Sequence, residues 1–519
     1  MTSATTASGP QPQKISAWEI VAAVMAILSL MAATIAANNP QVLLARLLGP
    51  DECVTAMIVS DPSVRHSIVA VKAGFETNPP VYHLLLREFC RCCGRITETS
   101  LRSFSAASAF VALLAVYLAL RRAFAAWPAA VAVAALWSNE PLIAQAFQAR
   151  FYAPLLAATG VFCLVYAARN GGVFTAVLTA LLAVLVCTLH YFGIFSLAAI
   201  VAGDALASGD PWPRKFRRMV PTFAGPMALL TFIPFVRSQA AGLSVSWIEP
   251  FTVLGAWHLL MELFGGATLP AVALAWWISE LIRQRGDHAA ATADGAGTLL
   301  PLAGLSGLLA VPFLIIILSA LVQPALASRY AITGLLGLTP LVALVASRLS
   351  RRVALVTIIF FALLGFQRMH QFSTREARAQ MAQRERIHQL IRADDGLPIV
   401  DLNFDAVAYY YAPQLRSRSF VADLRATHRN ALSNPIIFSM DMEAKCAPIY
   451  PDMPRMADLA ALRKLGPFHL NVSQADLPLF LSAKLLPDQA GGQHDIGEFL
   501  PFEKIRDSIY QATPDRKAP

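Results

Sequence analysis

Residues 172–208 have the sequence GVFTAVLTALLAVLVCTLHYFGIFSLAAIVAGDALAS, in which two long apolar runs follow one another and are separated at His190. Each run is close to the roughly 20 helical residues that cross a bilayer. Similar runs recur from Ala17 to about Phe366 and predict an all-α polytopic membrane protein with about eleven transmembrane helices. The predicted spans are residues 16–37, 103–120, 123–138, 151–168, 172–189, 191–208, 219–236, 266–282, 298–322, 331–347 and 353–367.

The composition of the chain excludes an ordinary soluble protein. Of its 519 residues, 56% are hydrophobic and only 14% are charged, and the mean hydropathy is +0.53. The net charge of +9 comes largely from short basic clusters in alternate loops, with no aromatic-lined basic face between them. Nucleic acid is therefore not an expected partner, whereas the lipid bilayer is.

The basic clusters predict the orientation, because Lys and Arg near span ends stay on the cytoplasmic side. These clusters are Arg121-Arg122, Arg169, residues 214–218, Arg283 with Arg285, and residues 348–352. All of these clusters lie on the cytoplasmic side of the membrane if residues 1–15 form a cytoplasmic tail. Loops 38–102, 139–150, 237–265 and 323–330 then face outside. A cleaved signal peptide is the alternative for the first span, but its apolar run is longer than a usual signal core.

The tail from residue 369 to 519 differs in character from the membrane part at 16–368. The charged segment TREARAQMAQRERIHQLIRADD and the later MADLAALRKLG favour helices, and the segments LPIVDLNF, VAYYYAP and FHLNVS favour strands. We therefore expect a small α/β domain on the outside, large enough to bury its own core.

The outer cysteines include a CRCC cluster at residues 90–93. It has no His or second Cys pair at the spacing of a zinc site, so packing or one disulfide explains it better.

The first outside loop carries two acids at the start of a predicted helix. Gly49-Pro50 breaks the chain just before Asp51 and Glu52, and VTAMIVSDPSVRHSIVAVK then has apolar residues spaced for one short helix on the membrane surface. A carboxylate such as Asp51 is commonly an N-cap that accepts hydrogen bonds from the first helical amides. Facing a hydroxyl acceptor, it can instead remove the proton as the hydroxyl attacks. Both roles remain open for Asp51.

A second motif in this loop, FETNPPVYHLLLREF at Phe75–Phe89, predicts another helix, with Asn78 as its cap and proline in its first turn. Its apolar stripe consists of Val81, Leu84, Leu85 and Phe89, and the side chains expected to face water or a head group are Tyr82, His83 and Arg87.

Two arginines stand at outer span ends, the side on which cations are depleted. Arg150 precedes span 4 and Arg329 precedes span 10. Salt bridges to Glu140 or Glu249, or extension to the interface, are structural explanations. The alternative is a phosphate-binding pair, because a guanidinium matches phosphate oxygens bidentately. At the outer end of span 5, His190-Tyr191 fits a structural role better than a catalytic one.

In this order, the motifs GPDE, NPPVYHLL, QARFYAPLL, LHYFG and SRYAI resemble those of the GT-C class of polytopic glycosyltransferases. Within that class the chain is most similar to bacterial relatives of the protein O-mannosyltransferases and of the aminoarabinose and galacturonic-acid transferases that modify lipid A. The resemblance covers residues 16 to about 350. It implies a polyprenyl-phosphate sugar donor, inverting transfer to a lipid, glycan or protein acceptor, and a bacterial inner membrane with the active site and tail in the periplasm.

Carried over by motif, the resemblance makes Asp51 the catalytic base with Glu52 beside it. Arg150 and Arg329 match arginines near the donor phosphate, with Tyr152 and Tyr330 as their neighbours. The family often has His before the double proline, where this chain has Asn78, so a ligand role of that histidine does not carry over. The other candidates are Glu76, Asn78, Tyr82, His83, His190 and Tyr191. No cofactor is required, although the two acids would allow a divalent metal.

Other classes explain less of the sequence. A secondary transporter should carry ionisable residues near mid-span and helices broken there. A polyprenyl-lipid flippase or a polymerase-like lipid handler fits the composition but does not explain Asp-Glu followed by the proline pair. A structural scaffold explains neither loop arginine.

Overall fold

A computed structural model of the chain describes residues 16–167, 172–207, 211–240, 248, 250–265, 302–392, 396–401, 406–423, 449–450, 454–465, 468–471 and 509–512. The chain divides into two compact units. Unit 1 consists of Met1–Ala45, Asn78–Phe232 and Pro250–Arg375, and unit 2 of Arg46–Thr77, Ile233–Glu249 and Glu376–Pro519. The segment boundaries predicted at residues 16, 368 and 369 stay predictions.

The α-helices are α1 Ala17–Ala37, α2 Pro40–Leu44, α3 Pro50–Ser60, α4 Val64–Ala73, α5 Val81–Cys92, α6 Glu98–Leu120, α7 Ala126–Trp137, α8 Glu140–Ala146, α9 Tyr152–Tyr166, α10 Val173–Leu189, α11 Gly193–Ala207, α12 Trp212–Met219, α13 Ala224–Leu230, α14 Ile233–Ala240, α15 Val253–Leu260, α16 Ala303–Gly307, α17 Val311–Leu321, α18 Gly334–Ala346, α19 Arg351–Arg392, α20 Ala406–Tyr411 and α21 Leu459–Lys464. The strands are β1 Ile399–Asp401, β2 Ser419–Ala422, β3 Arg455–Ala457, β4 Phe468–Asn471 and β5 Ile509–Ala512. Short 3₁₀ helices include Val220–Phe223, Leu308–Ala310, Ser328–Tyr330 and Pro413–Arg418, and Met261–Gly265 forms a π-helical turn.

The protein is mostly helical, with several apolar helices that mark it as a multi-pass membrane protein. In the described ranges, four helices are long and apolar enough to cross a membrane, namely Ala17–Ala37, Glu98–Leu120, Ala303–Leu321 and Arg351–Gln389, or up to five if the bent pair Trp212–Leu230 and Ile233–Gln239 is one span. The same described ranges contain six shorter apolar helices, among them α7, α9, α10, α11 and α18. The predicted span at 266–282 lies outside the described residues, so the total of eleven stays a prediction.

Several predicted spans coincide closely with helices, because apolar runs end where polar residues begin. The run at 172–189 corresponds to α10 and that at 331–347 to α18. The last span differs most. We predicted a span at 353–367 followed by a separate charged helix, but α19 is one continuous helix of 42 residues. The polar residues after Phe366 keep helix-forming side chains, and no glycine or proline interrupts them.

Within unit 1, close helix contacts depend on small residues. A Cβ atom at Gly203 of α11 would lie 2.4 Å from the Ala303 carbonyl oxygen, and one at Gly307 would lie 2.2 Å from that of Ala199. Only hydrogen fits at these two positions. Interfaces between apolar helices use such residues because lipid supplies little hydrophobic driving force for helix association.

Ion pairs also join helices of unit 1. Arg121 donates to Glu19 at 3.1 Å and so connects the end of α6 to the start of α1. Arg218 donates to both carboxylate oxygens of Asp204 at 2.9 and 2.8 Å, and the hydroxyl of Tyr166 donates to the same carboxylate at 3.1 Å. The exposed fraction of Asp204 is only 2%. These partners make the buried carboxylate tolerable, and they hold α9, α11 and α12 together.

Unit 2 contains a five-stranded sheet in the order β3-β2-β1-β4-β5. The strands are parallel except for β5, which is antiparallel to β4. The central strand β1 is buried along its whole length, as expected for a parallel strand covered on both faces. The predicted strands in LPIVDLNF and FHLNVS correspond to β1 and β4. In MADLAALRKLG, the first residues belong to β3 and helix α21 follows them.

The prediction of a strand at VAYYYAP was wrong, because residues 406–411 form helix α20. Tyr409 is buried and its neighbour Tyr410 is half-buried. Aromatic residues favour strands only weakly, and packing of α20 against α3 within unit 2 decides its conformation.

The single helix predicted after Asp51 is also wrong, because α3 ends at Ser60 and α4 begins at Val64. Proline at residue 62 lacks an N–H and disfavours helical conformation at the residue before it. Asp61 accordingly has ψ 127°, and its carboxylate accepts from the Ser63 N–H at 2.8 Å.

Candidate active site

The start of α3 in unit 2 presents Asp51 and Glu52 in different environments. The N-cap is Gly49, Pro50 is the first helical residue, and Asp51 is exposed at the second position. The Glu52 carboxylate is buried and accepts from the Gly49 N–H at 2.9 Å. Glu52 is therefore the capping carboxylate, and the cap that we considered for Asp51 is wrong. The negative charge of Asp51 lies within the first turn, where the helix dipole favours it.

Glu76, also in unit 2, belongs to a tied segment. Its carboxylate accepts from the Thr77 N–H at 3.0 Å, and its carbonyl oxygen accepts from the side chain of Gln239 at 3.1 Å. Only 6% of Glu76 is exposed. These contacts give Glu76 a role in fixing the loop that leads to the double proline.

The structure contradicts the expectation that Tyr82, His83 and Arg87 of α5 face water or a head group. Tyr82, His83 and Arg87 are buried, whereas Leu85 is 41% exposed. Tyr82 contacts the ring of Phe151, with centroids 5.7 Å apart. A helix beside lipid can turn its apolar residues outward and its polar residues into the protein, which reverses the rule for soluble proteins.

The cap predicted for this helix was also wrong. The N-cap of α5 is Pro80, with no side-chain cap, and Asn78 lies two residues before it and is buried.

Arg150 lies directly before α9 of unit 1, next to an aromatic pair. Its guanidinium carbon is 4.8 Å from the centroid of the Phe151 ring. The ring of Tyr152, the first residue of α9, is 4.4 Å from that of Phe151. Arg150 is 8% exposed, and its carbonyl oxygen accepts from Ser105 at 3.5 Å. Stacking on an aromatic face is a usual environment for a guanidinium that keeps its N–H groups in plane for a ligand.

His190 is the C-cap of α10 and is almost completely buried. Its Nδ1 accepts from the backbone N–H of Phe192 at 3.0 Å. This bond requires a lone pair on Nδ1, so the ring proton of the neutral imidazole is on Nε2, which is then a hydrogen-bond donor. The ring centroid lies 4.8 Å from that of Phe151 and 5.5 Å from that of Tyr330. The neighbouring Tyr191 is half-buried in the turn that starts α11.

Arg329 and Tyr330 lie in the 3₁₀ helix Ser328–Tyr330. The guanidinium carbon of Arg329 is 5.8 Å from the centroid of Tyr330. The Tyr330 ring is 4.9 Å from Phe192 and 6.4 Å from Tyr152. The rings of Phe151, His190 and Tyr330 therefore form one aromatic line, and each of the two arginines stacks on a ring at one end of it.

One of the acids considered as structural partners of these arginines contacts a different cation. Glu140 is 3.3 Å from Arg375, and Glu249 lies outside the described residues. A different acid, Glu262, accepts from the hydroxyl of Ser328 at 2.5 Å, one residue before Arg329.

The sequence did not point to Phe151, one end of the aromatic line, or to Phe192, whose ring is 4.9 Å from that of Tyr330. Both were inside the motifs RFY and HYF, but nothing in the sequence distinguishes a ring that packs against a site from a ring that faces lipid. Arg102 was also missed: it is fully buried and donates to the Leu44 carbonyl oxygen at 3.2 Å. Its position at the predicted start of a span was the available signal.

No group of three or more His, Cys, Asp or Glu is placed to hold a metal ion in the part of the chain that the structure describes. Among the cysteines of the CRCC cluster, Cys90 is buried, whereas Cys92 and Cys93 are exposed, and all three are free thiols. Burial raises the pKa of the Cys90 thiol, as expected for a packing residue. Cys446 lies outside the described residues.

Comparison with solved structures establishes the fold. The chain is similar to ArnT from Cupriavidus metallidurans bound to undecaprenyl phosphate, with a TM-score of 0.57, 13% identity, and coverage of 89% of this chain and 95% of that one. The apo state of the same protein gives a TM-score of 0.59 and 15% identity over the same shares. The protein therefore has the GT-C fold of polytopic membrane glycosyltransferases.

A third structure, the archaeal oligosaccharyltransferase AglB from Archaeoglobus fulgidus in complex with an inhibitory peptide and a dolichol-phosphate, matches with a TM-score of 0.45 and 10% identity. It covers 97% of this chain, which spans 75% of AglB. No family model and no curated protein matches the sequence.

Proposed function

We propose that the protein is a glycosyltransferase that moves a sugar from a polyprenyl-phosphate donor to a lipid, glycan or protein acceptor on the periplasmic face of the inner membrane, with inversion at the anomeric carbon. The observation that carries this proposal is the aromatic line of unit 1, with Arg150 and Arg329 stacked on its end rings. A GT-C fold supports it, because the similar ArnT structure holds undecaprenyl phosphate.

In the proposed reaction, an acceptor hydroxyl attacks the anomeric carbon of the donor and the bond from that carbon to the phosphate oxygen breaks. The electron pair goes to the departing polyprenyl phosphate, which gains one negative charge. Arg150 and Arg329 stabilise this charge, because guanidinium groups bind phosphate oxygens bidentately. Neither a nucleotide nor a covalent enzyme intermediate is needed.

The proton of the attacking hydroxyl goes to Asp51, the proposed general base. Glu52 performs the capping of α3, so proton transfer to Asp51 would not open the start of the helix. A positioned general base accelerates such a step about 10²- to 10⁴-fold. Glu52 supports the base by fixing the turn that carries it.

His190 adds a neutral donor to the proposed site. Because Nδ1 accepts from Phe192, Nε2–H is the group that can donate to a phosphate or sugar oxygen. Tyr152 and Tyr330, whose rings lie 5.8 and 5.5 Å from that of His190, would position the sugar or the isoprenoid beside it.

A flippase or secondary transporter remains the alternative, but the described ionisable groups do not favour a transporter. Glu19, Asp204 and Arg218 lie near helix ends and are paired with other side chains. Transport sites for ions or protons usually place such groups near mid-span.

The test is an assay of membranes containing the protein with a panel of radiolabelled polyprenyl-phosphate sugars. Label is measured in lipid, glycan and protein fractions, and membranes containing Asp51→Asn are the matched control. We expect transfer of one sugar in the wild type only. Transfer from a nucleotide sugar in the absence of a lipid donor, or equal label in the control, would overturn the mechanism. Movement of labelled donor across the bilayer without transfer would favour a flippase.

A further inference from the structure

A tail residue contacts the turn that leads into helix α3, at Leu48, three residues before Asp51. The phenol oxygen of Tyr411, the last residue of α20, accepts from the backbone N–H of Leu48 at 2.9 Å. Leu48 is fully buried, so its N–H needs a protein partner, and Tyr411 supplies it. Both residues belong to unit 2, in which α20 packs against α3.

An ion pair supports the same turn. Arg46, two residues before Leu48, is 2.9 Å from Glu376 of α19. The Arg46 side chain is only 4% exposed and that of Glu376 is 25% exposed. The segment that enters α3 is therefore held by two side chains that lie more than 300 residues later in the sequence.

The other end of α3 also contacts the tail. Asp61 is the C-cap of α3, and its carboxylate accepts from the hydroxyl of Tyr450 at 3.4 Å. His66 of α4 bonds the same carboxylate through Nδ1 and the Ile449 carbonyl oxygen through Nε2, at 3.0 Å. Both imidazole nitrogens thus face oxygen atoms, an arrangement that favours the doubly protonated ring because both of its nitrogens donate. Hydrogen bonding to Asp61 accordingly raises the pKa of His66.

We propose that Tyr411 is a positioning residue for the general base, because its phenol oxygen fixes the turn that begins α3. Together with the contacts at Asp61, this hydrogen bond lets the tail hold α3, and therefore Asp51, in place. This inference rests on the proposed role of Asp51. It gives the tail a function in catalysis without placing any tail residue on the substrate. A base displaced by about 1 Å can lose up to about 10²-fold in rate, so a single lost hydrogen bond at this turn has a measurable effect.

The variant that tests this is Tyr411→Phe, which keeps the ring and its packing on Tyr410, at 5.0 Å, but removes the acceptor oxygen. Tyr410→Phe, one residue earlier on α20, is the matched control. Hydrogen exchange of the full-length protein in detergent is measured on the peptide that contains Leu48. Loss of a single hydrogen bond should speed exchange of the Leu48 amide by about 2- to 12-fold in Tyr411→Phe, with no change in Tyr410→Phe.

Kinetics with the polyprenyl-phosphate sugar then separate positioning from general loss of structure. We expect Tyr411→Phe to lower kcat about tenfold and to leave KM for the donor within about twofold, because donor binding does not use the turn at α3. The melting temperature and the kinetics of Tyr410→Phe should match the wild type.

Each outcome decides the proposal. Unchanged exchange at Leu48 in Tyr411→Phe overturns it, as does faster exchange with full kcat. If Asp51→Asn is inactive while Tyr411→Phe keeps full kcat, the positioning role is wrong and the proposed function stands. If Asp51→Asn retains full activity, Asp51 is not the base, and the positioning role proposed for Tyr411 is wrong with it.

Discussion

The variant Asp51→Asn tests whether Asp51 acts as the general base, independently of the helix-capping role of its neighbour Glu52. The substitution keeps the shape of the side chain, but an amide cannot accept a proton at neutral pH. If Asp51 is the base, turnover should fall about 10²-fold or more. Stability should change little, because Glu52 and not Asp51 bonds the Gly49 N–H. Asp51→Asn weakens the interaction of this side chain with the helix dipole, which is worth about 0.3 to 1 kcal/mol at an exposed site.

The adjacent acid should show the reverse behaviour. Glu52→Ala removes the bond to Gly49, and loss of a helix cap costs about 0.5 to 2 kcal/mol. Glu52→Gln keeps an acceptor that serves equally in a capping box, so it should be mild in both respects. The assay is sugar transfer by detergent-purified protein, with melting temperatures measured on the same samples. If Asp51→Asn keeps most of its activity while Glu52→Gln loses it, the base is Glu52 and our assignment is wrong.

Three further predictions concern other parts of the chain. Arg150→Lys and Arg329→Lys should each weaken apparent donor affinity, because an ammonium cannot copy the guanidinium fork; wild-type affinity in both would make these arginines structural. The pKa of His66 is raised above 6.5, so its contribution to the stability of the folded protein should be complete below pH 6.5 and should be lost as the pH rises through the raised value. The melting temperatures of wild type and His66→Gln are compared across this pH range. A difference between them that does not shrink with rising pH would contradict the prediction. Reporter fusions should be cytoplasmic after Arg218 and periplasmic after Glu98, and the opposite result would reverse the topology.

The sequence predicted the membrane part well where one local property decides the structure. An apolar run bounded by polar residues becomes a helix of nearly the same length, as α10 shows. The start of α3 was also readable, because Gly49-Pro50 stops the preceding chain and the acids favour the first helical turn. Which acid caps the helix was not readable, since Asp51 and Glu52 differ by one position and both carry suitable oxygens.

Errors occurred where the surroundings of a segment decide its structure. The polar side chains of α5 were expected to face water or a head group, but whether they do so depends on which other elements pack against them. Tyr82 and His83 are consequently buried instead of exposed. Likewise, the strand expected at VAYYYAP is helix α20, because its conformation follows from packing against α3. Single-sequence periodicity contains neither piece of information.

The aromatic line could not be derived from the sequence for a related reason. Phe151, His190 and Tyr330 come from three segments separated by at least 39 residues, and only the folded bundle brings their rings within 4.8 and 5.5 Å of one another. The arginines were visible beforehand because they break the rule that depletes cations on the outer side. An arginine on the depleted side can be recognised in the sequence, but the sequence does not indicate which residues it contacts.

Charge movement explains why the proposed reaction needs both the arginines and the base. During transfer, the donor phosphate gains one negative charge as its bond to the sugar breaks, and the base loses one as it takes the proton of the acceptor. The total charge is conserved, so the barrier depends on how well each end accommodates its change. Two guanidiniums stacked on aromatic rings are suited to the first change, since they cannot give up a proton to the departing phosphate. An exposed carboxylate at the start of a helix, with capping left to its neighbour, is suited to the second, because its neutralisation leaves the helix intact. In the proposed mechanism, Asp51 takes the proton while Glu52 caps the helix, and the tail residues that contact the turn before them would keep the base in position.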